Sequence, residues 1–399
     1  MYIERKITSH LNKVLDKFPV VSVTGPRQSG KTTLLKSAFS SYTYYNLERV
    51  DYREMIQSDI VGFLKNAGPH VIFDEAQNLP DLFSYIQVIS DERNSAGQYI
   101  LSGSQSFLLS EKISQSLAGR VSVNHLFPFD ITELNLPTGQ AGITEKQSLY
   151  QTIIKGFYPR IYDKNIQPED FYPSYLQTYI ERDIRTLKSI ENLNTFARFL
   201  GLCAGRVGQI LNITSLANDA GIAVNTAKTW LSLLESSFII FLLQPYYKNF
   251  NKRLIKSPKI YFYDTGVVSS LLKLTNPDSV KNHFAYGALF ENLVISEIIK
   301  SITHSGKKPA VYYWRESNGI EIDCIVERGE GSLTAIEIKG GETFNSDFIK
   351  DLKKFPGIST KQAIKKVLLY TGEKAFNVID ISIIPFNKLI DLLKELKTY

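Results

Sequence analysis

Cysteine is nearly missing: Cys203 and Cys324 are the two in 399 residues, and they stand far apart. That excludes a disulfide scaffold and a zinc site built on paired cysteines, and it fits a reducing compartment, the cytoplasm. Long hydrophobic runs are missing too. The longest, Phe238–Leu243, is far too short to cross a bilayer, so no membrane partner is expected. The opening MYIERKITSHL is charged and lacks the apolar stretch of a secretory signal. Repeats and low-complexity tracts are absent. Charge of one sign is in small excess, +6 in all. Its placement is uneven: between Phe196 and Lys256 stand Arg198, Arg206, Lys228, Lys248, Lys252, Arg253 and Lys256 against Asp219 and Glu235, seven bases less two acids, +5. Such an excess suits a polyanion, or is a solvated face.

What is present is a globular composition, 43% hydrophobic and 22% charged, long enough for two or three cores. The first third reads as strands alternating with helices. Strands are expected at Val20–Thr24, Tyr42–Asn46, Val71–Asp74 and Tyr99–Gly103, with a helix over Thr32–Phe39 and a closing turn at Phe127–Phe129. This is the pattern of an α/β fold with a parallel sheet. Residues 140–195 read as mostly helical, with a tyrosine-rich patch from Phe157 to Tyr179. Helices follow at Ser215–Ala220 and Val224–Glu235, then a strand at Phe238–Leu243, a helix at Ala285–Lys300, and strands at Val311–Trp314, Ile320–Val326 and Thr334–Ile338.

Gly25, Pro26, Arg27, Gln28, Ser29, Gly30, Lys31 and Thr32 fit G-x-x-x-x-G-K-[ST] in full, between a strand and a helix. Glycine permits positive φ and close backbone approach, and successive N–H groups at a helix start cradle a phosphate. Lys31 would reach the β- and γ-phosphates and the Thr32 hydroxyl would ligate Mg²⁺; Thr33 follows in the same turn. The expected cofactors are therefore ATP and Mg²⁺. Val71–Phe73 is an apolar strand that ends in Asp74 and Glu75. Asp74 would hold the metal through water and Glu75 would polarise the attacking water. Adjacent acids after a strand can also be a helix cap. Ser104 or Gln105, at the end of the next strand, could position water, or form a turn. Arg120 could meet the γ-phosphate, in its own subunit or a neighbour's, or form a surface ion pair.

In the C-terminal third, Asp323 lies on the alternating Ile320–Val326 strand, and Glu337 and Lys339 share a face two residues apart on the next. A hairpin would bring them together. Two carboxylates with a lysine suit a metal-dependent phosphodiesterase, the acids holding Mg²⁺ and the lysine handling water; a charged strand surface is the plainer account. In the middle, Ser215–Gly221 followed by Val224–Glu235 has helix-turn-helix spacing, with Asn225, Thr226, Lys228 and Thr229 on the second helix and a basic wing beyond Phe238–Leu243. DNA contact and protein packing are both open readings.

The order of GPRQSGKTT, VIFDEAQ, LSGSQSFLL, SLAGR, YIERDI, ALFENLV, YYWRESNGIEIDCIV and AIEIKGG resembles prokaryotic AAA-type ATPases whose C-terminal half is a domain of unknown function, DUF4143. The resemblance spans nearly the whole chain. It implies an AAA+ P-loop core at 1–135, a helical lid or linker at 136–195, a winged-helix region at 196–275, and at 276–399 an α/β domain like PD-(D/E)XK restriction endonucleases. It also implies that Glu291 completes the metal shell of Asp323 and Glu337. Arg182 and Asp183 match a recurrent family motif; on a helix they suit a local structural ion pair, with nucleotide sensing by Arg182 as the alternative. The function expected is ATP hydrolysis coupled to a nuclease-like module handling DNA. The alternative is an ATP-gated DNA- or protein-binding switch without nuclease activity. Homo-oligomers are common among AAA-type cores. A small-molecule kinase is disfavoured by Glu75, which suggests water as the acceptor.

Overall fold

The computed structural model describes residues 2–104, 116–134, 146–180, 192–246, 257–316, 319–355 and 363–397. It divides into two units: residues 1–129 with 236–238 and 303–307, and residues 130–235, 239–302 and 308–399. Among the described residues, no helix is long and apolar enough to cross a membrane.

The first unit is built on strands β1 (Val20–Thr24), β2 (Thr43–Asn46), β3 (Val71–Asp74), β4 (Tyr99–Gly103) and β5 (Val121–His125), with helices α1 (Ile7–Leu15), α2 (Lys31–Ala38), α3 (Val50–Ser58), α4 (Ile60–Ala67) and α5 (Leu82–Arg93). The strands lie in the order β2-β3-β4-β1-β5 and all pairs are parallel. β1, β3 and β4 are buried along their whole length, as expected of runs covered by helices on both faces. One core gathers Val71, Phe73, Leu101 and Phe83; the other gathers Val21, Val23, Ile72 and Leu34. Because every strand points the same way, the segments following β1, β3 and β4 emerge at one edge, with β4 between the other two.

The second unit begins with helices α6 (Lys146–Lys155), α7 (Pro159–Lys164), α8 (Pro168–Tyr179), α9 (Leu193–Ala204), α10 (Ile213–Ala220) and α11 (Val224–Ser236). Asn192 and Asn212 cap α9 and α10 by accepting from Thr195 N and Ser215 N, both at 3.0 Å. Gly221, at φ 71°, ends α10 in the left-handed conformation and sets the turn into α11. Trp230 of α11 packs edge-to-face on Phe196 and Phe199 of α9. The two-stranded antiparallel pair β6 (Ile240–Leu243) and β7 (Lys259–Phe262) follows. The expected strand at Phe238–Leu243 starts two residues late because Phe238 sits at φ 58°, a backbone no strand residue adopts.

Helices α12 (Thr265–Leu271), α13 (Pro277–Lys281) and α14 (Tyr286–His304) lead to a sheet of β8 (Val311–Arg315), β9 (Glu321–Glu327), β10 (Leu333–Lys339), β11 (Ile364–Tyr370), β12 (Phe376–Val378) and β13 (Ile381–Pro385), with α15 (Lys350–Lys354) and α16 (Leu389–Lys397). Its order is β12-β13-β11-β10-β9-β8. β10, β11 and β13 run parallel; β8, β9 and β12 are antiparallel to their neighbours. One face is a core of Ile322, Ile325, Ala335, Leu368 and Ile383.

Candidate functional sites

Gly25 follows β1; a Cβ there would come 2.1 Å from the Leu126 carbonyl oxygen, so glycine is the residue that lets the loop leave the sheet here. Gln28 and Gly30 take positive φ, 59° and 94°, and turn the chain into α2. The N–H groups of the first turn of a helix have no intrahelical acceptor and face the loop's mouth, the arrangement that receives an anion. Lys31 is buried, and its ammonium donates to the carbonyls of Gly25 and Pro26 at 2.9 and 2.8 Å. Ser29 is buried, Arg27 half-buried, and Gln28, Thr32 and Thr33 are exposed.

Arg5 supports this loop from behind. Its guanidinium, 3% exposed, donates to the carbonyls of Ser29 (2.8 Å) and Phe127 (2.7 Å) and lies 4.8 Å from the centre of the Phe129 ring. Sequence reasoning missed it, because a lone arginine ahead of an amphipathic helix belongs to no motif.

Asp74, 1% exposed at the end of β3, is the hub of the site. Its Oδ2 accepts from the Thr32 hydroxyl (2.6 Å) and from the Tyr44 hydroxyl (2.6 Å). Its Oδ1 accepts from the Ser102 hydroxyl and from Glu75 N, the latter at 3.1 Å. The loop, the acidic strand and the strand between them are thus tied at one carboxylate. Burial, and then the Asp74 hydrogen bond, push the Tyr44 phenol far above its usual pKa. Tyr44 stood in no motif of the sequence, and Ser102 stood in LSGSQSFLL with no role read for it; the parallel order brings both to Asp74. Glu75 stands in the left-handed region (φ 54°), which turns its side chain off the strand direction. Its Oε2 accepts from the Ser104 hydroxyl (3.0 Å) and from the Gln77 amide (2.5 Å).

Gln105 lies outside the described residues, as do Arg182 and Asp183 and the wing bases Lys248, Lys252, Arg253 and Lys256. Arg120 makes a two-point pair with Asp91, 2.6 and 2.9 Å, on a partly exposed surface. In the middle segment, Asn225, Lys228 and Thr229 are exposed on α11 and Thr226 is half-buried. Arg206 pairs with the Asp219 carboxylate, and Arg198 donates to the Asp219 carbonyl at 2.6 Å. Part of the local basic excess is therefore engaged within the fold.

The β9–β10 hairpin brings Asp323, Glu337 and Lys339 together. Asp323 Oδ2 accepts from Ile338 N (2.9 Å), and the Lys339 ammonium lies 3.3 Å from Asp323 and 2.6 Å from Glu337 Oε1. Burial, with the Asp323 charge, raises the Glu337 pKa well above the carboxylate range, while its Oε2 is buried with no hydrogen-bond partner. Burial works against the Lys339 ammonium, but Asp323 and Glu337 outweigh it and hold its pKa up.

Glu291 of α14 faces a different partner. Lys259 of β7, 3% exposed, lies 3.2 Å from Glu291 Oε1 and 2.5 Å from Glu321 Oε1. The Tyr261 hydroxyl donates to the same Glu291 oxygen. Burial, reinforced by the Asp323 charge, pushes Glu291 up to about 7. Among the described residues, Glu291, Asp323 and Glu337 do not bring three ligand oxygens within 4.8 Å of one another. Asp323 and the orphan oxygen of Glu337 have the chemistry of a hard-cation site; Glu291 is engaged by an ammonium. Lys259 was not legible in advance, since Lys259–Phe262 was not read as a strand.

Residues 17–135 match the family model of an AAA domain, residues 146–278 that of a domain of unknown function, DUF8612, and residues 286–389 that of another, DUF4143. An uncharacterized protein of Mycobacterium tuberculosis is 28% identical over 384 residues, 95% of this chain and 83% of its own length. An uncharacterized protein of Methanocaldococcus jannaschii is 24% identical over 400 residues, 92% of this chain and 87% of its own. Among solved structures, a Walker-type ATPase of Pyrococcus abyssi gives a TM-score of 0.44 at 15% identity, covering 68% of this chain and 96% of that one. AMPPCP-bound DnaA from Aquifex aeolicus gives 0.28 at 11% identity, over 57% and 85%.

Proposed function

We propose, from the premise that this chain joins an AAA-type ATPase domain to a DUF4143 domain, that it binds ATP with Mg²⁺ in the Gly25–Thr33 loop and hydrolyses it. The observation that carries the reading is the 2.6 Å hydrogen bond from Thr32 to Asp74, which joins the phosphate loop to the acidic strand. The N–H groups at the start of α2 would receive the β- and γ-phosphates. Lys31 would exchange its carbonyl partners for phosphate oxygens. Thr32 would hold Mg²⁺ directly and Asp74 through water, and Mg²⁺ when bound offsets charge on the phosphates. Glu75 would orient the attacking water and accept its proton, with Ser104 and Gln77 fixing its carboxylate. For Arg120 to reach a γ-phosphate, in its own subunit or a neighbour's, its pair with Asp91 must open; the pair is solvent-screened, so it is a weak restraint.

The second unit would couple nucleotide state to DNA. Helices α9–α11 followed by the β6–β7 pair have the element order of a winged helix, and α11 would present Asn225, Lys228 and Thr229 to nucleic acid. Asp323 and Glu337 would hold a metal ion beside Lys339 for phosphodiester hydrolysis. The alternative, an ATP-gated binding switch without nuclease chemistry, is favoured by Lys259, whose ammonium engages the third carboxylate, Glu291. Supercoiled plasmid with Mg²⁺ separates the two. Nicking that vanishes in Lys339→Ala supports the nuclease; salt-sensitive DNA binding without nicking, unchanged in Asp323→Ala, supports the switch.

A further inference from the structure

A cavity of about 570 Å³ opens in the second unit beyond the carboxyl ends of β10, β11 and β13. That edge of parallel strands is where open α/β sheets take ligands, and the volume is that of a small-molecule site. The turn behind it is closely built. A Cβ on Gly372 would come 2.3 Å from the Glu342 carbonyl oxygen, and the Tyr370 hydroxyl donates to the Lys374 carbonyl at 2.8 Å and accepts from Lys374 N at 3.1 Å.

The walls are aromatic and meet at corners. Tyr150 and Tyr286 stand 5.4 Å apart at 65°, and Phe344 and Phe376 stand 5.1 Å apart at 85°. A flat base sandwiched between rings needs two parallel faces, which neither pair provides; in each pair the edge of one ring meets the other, and the faces left uncovered can take a compact cation. Glu342 and Glu373 also line the cavity, with Lys374 as the opposing charge, so two carboxylates against one ammonium leave −1. That balance repels phosphate and attracts a cation.

We propose that this pocket binds an organic cation, an alkylammonium or guanidinium group, carried by a free polyamine or by a basic side chain of a polypeptide. The inference is independent of the ATPase reading. It is tested by calorimetry on the full chain with choline and its neutral isostere 3,3-dimethylbutanol, then with spermidine and a short blocked lysine peptide. Choline is expected to bind a few-fold more tightly than the alcohol, the margin of a partly exposed cation–π contact. Phe376→Ala and Glu373→Gln, checked for folding by circular dichroism, should each weaken it several-fold. Tighter binding of spermidine or of the peptide names the source. Equal affinity for choline and the alcohol, no heat with any cation, or affinity unchanged in both variants overturns the proposal.

Discussion

Lys259→Met removes the ammonium that Glu291 and Glu321 share and keeps most of the side-chain volume. Both ends of the lysine pairs are largely out of water, with Lys259 4% exposed, Glu291 14% and Glu321 21%. Truncating one partner of a buried pair costs about 3–5 kcal/mol, because the other charge is left uncompensated. Glu321 keeps Arg315 at 2.8 Å, so the cost falls mainly on Glu291. Glu291 has a way to relieve it: its pKa already stands at about 7, and removing a cation raises it further. At pH 8, one unit above that pKa, Glu291 can still escape by taking up a proton, which caps its share of the penalty at about 1.4 kcal/mol. At pH 5.5 Glu291 holds a proton with or without Lys259, and about 1–2 kcal/mol should remain from lost packing and the Glu321 contact. Urea unfolding followed by tryptophan fluorescence is the assay, since both tryptophans, Trp230 and Trp314, lie in the second unit. A cost below about 1 kcal/mol at pH 8, or the same cost at both pH values, would refute the reasoning.

Four further outcomes are expected. Gly25→Ala places a methyl 2.1 Å from the Leu126 carbonyl, so nucleotide binding measured with a fluorescent ATP analogue should be lost while the second unit melts normally. Arg5→Ala removes charged hydrogen bonds to Ser29 and Phe127; about 2–4 kcal/mol of stability should go with it, read by urea titration using hydrogen exchange in the first unit. Glu297, buried beside Lys300, has its pKa pushed up from 4.5 to about 7 by burial and by Asp130. The folded chain therefore retains a proton that the unfolded chain releases. The second unit should be most stable, for this group, at low pH, lose at most about 1.4 kcal/mol per unit as pH rises toward 7, and level off above it. Glu297→Gln should flatten that slope; an unchanged slope sinks the assignment. Glu75→Gln should keep ATP affinity and lower turnover about 10²–10⁴-fold in a phosphate-release assay.

Much of the first sheet was legible because its signals are local. Val20–Thr24, Val71–Asp74 and Tyr99–Gly103 are β-rich runs bounded by breakers, and all are strands with those bounds. β5 was missed, since Val121–His125 mixes polar and apolar residues at an edge of the sheet. β11 and β13 were missed too, because long-range parallel pairing leaves no turn signature in the sequence. The residues that complete each site came from pairings and segments to which the sequence assigned no role. Tyr44 and Ser102 reach Asp74 by strand order, Arg5 reaches the loop from before α1, and Lys259 reaches Glu291 from an unread strand. Motifs name the groups that do chemistry; the groups that hold them arrive through topology.

The central claim is that the loop and Asp74–Glu75 form a working ATPase. Its most direct test is phosphate release from ATP by the purified full chain with Mg²⁺, compared with Lys31→Ala and Glu75→Gln. Release by the wild type, with neither variant releasing above background and only Glu75→Gln still binding ATP, is the expected result. Wild-type protein that binds no ATP, or Lys31→Ala that hydrolyses it at the wild-type rate, would contradict the account.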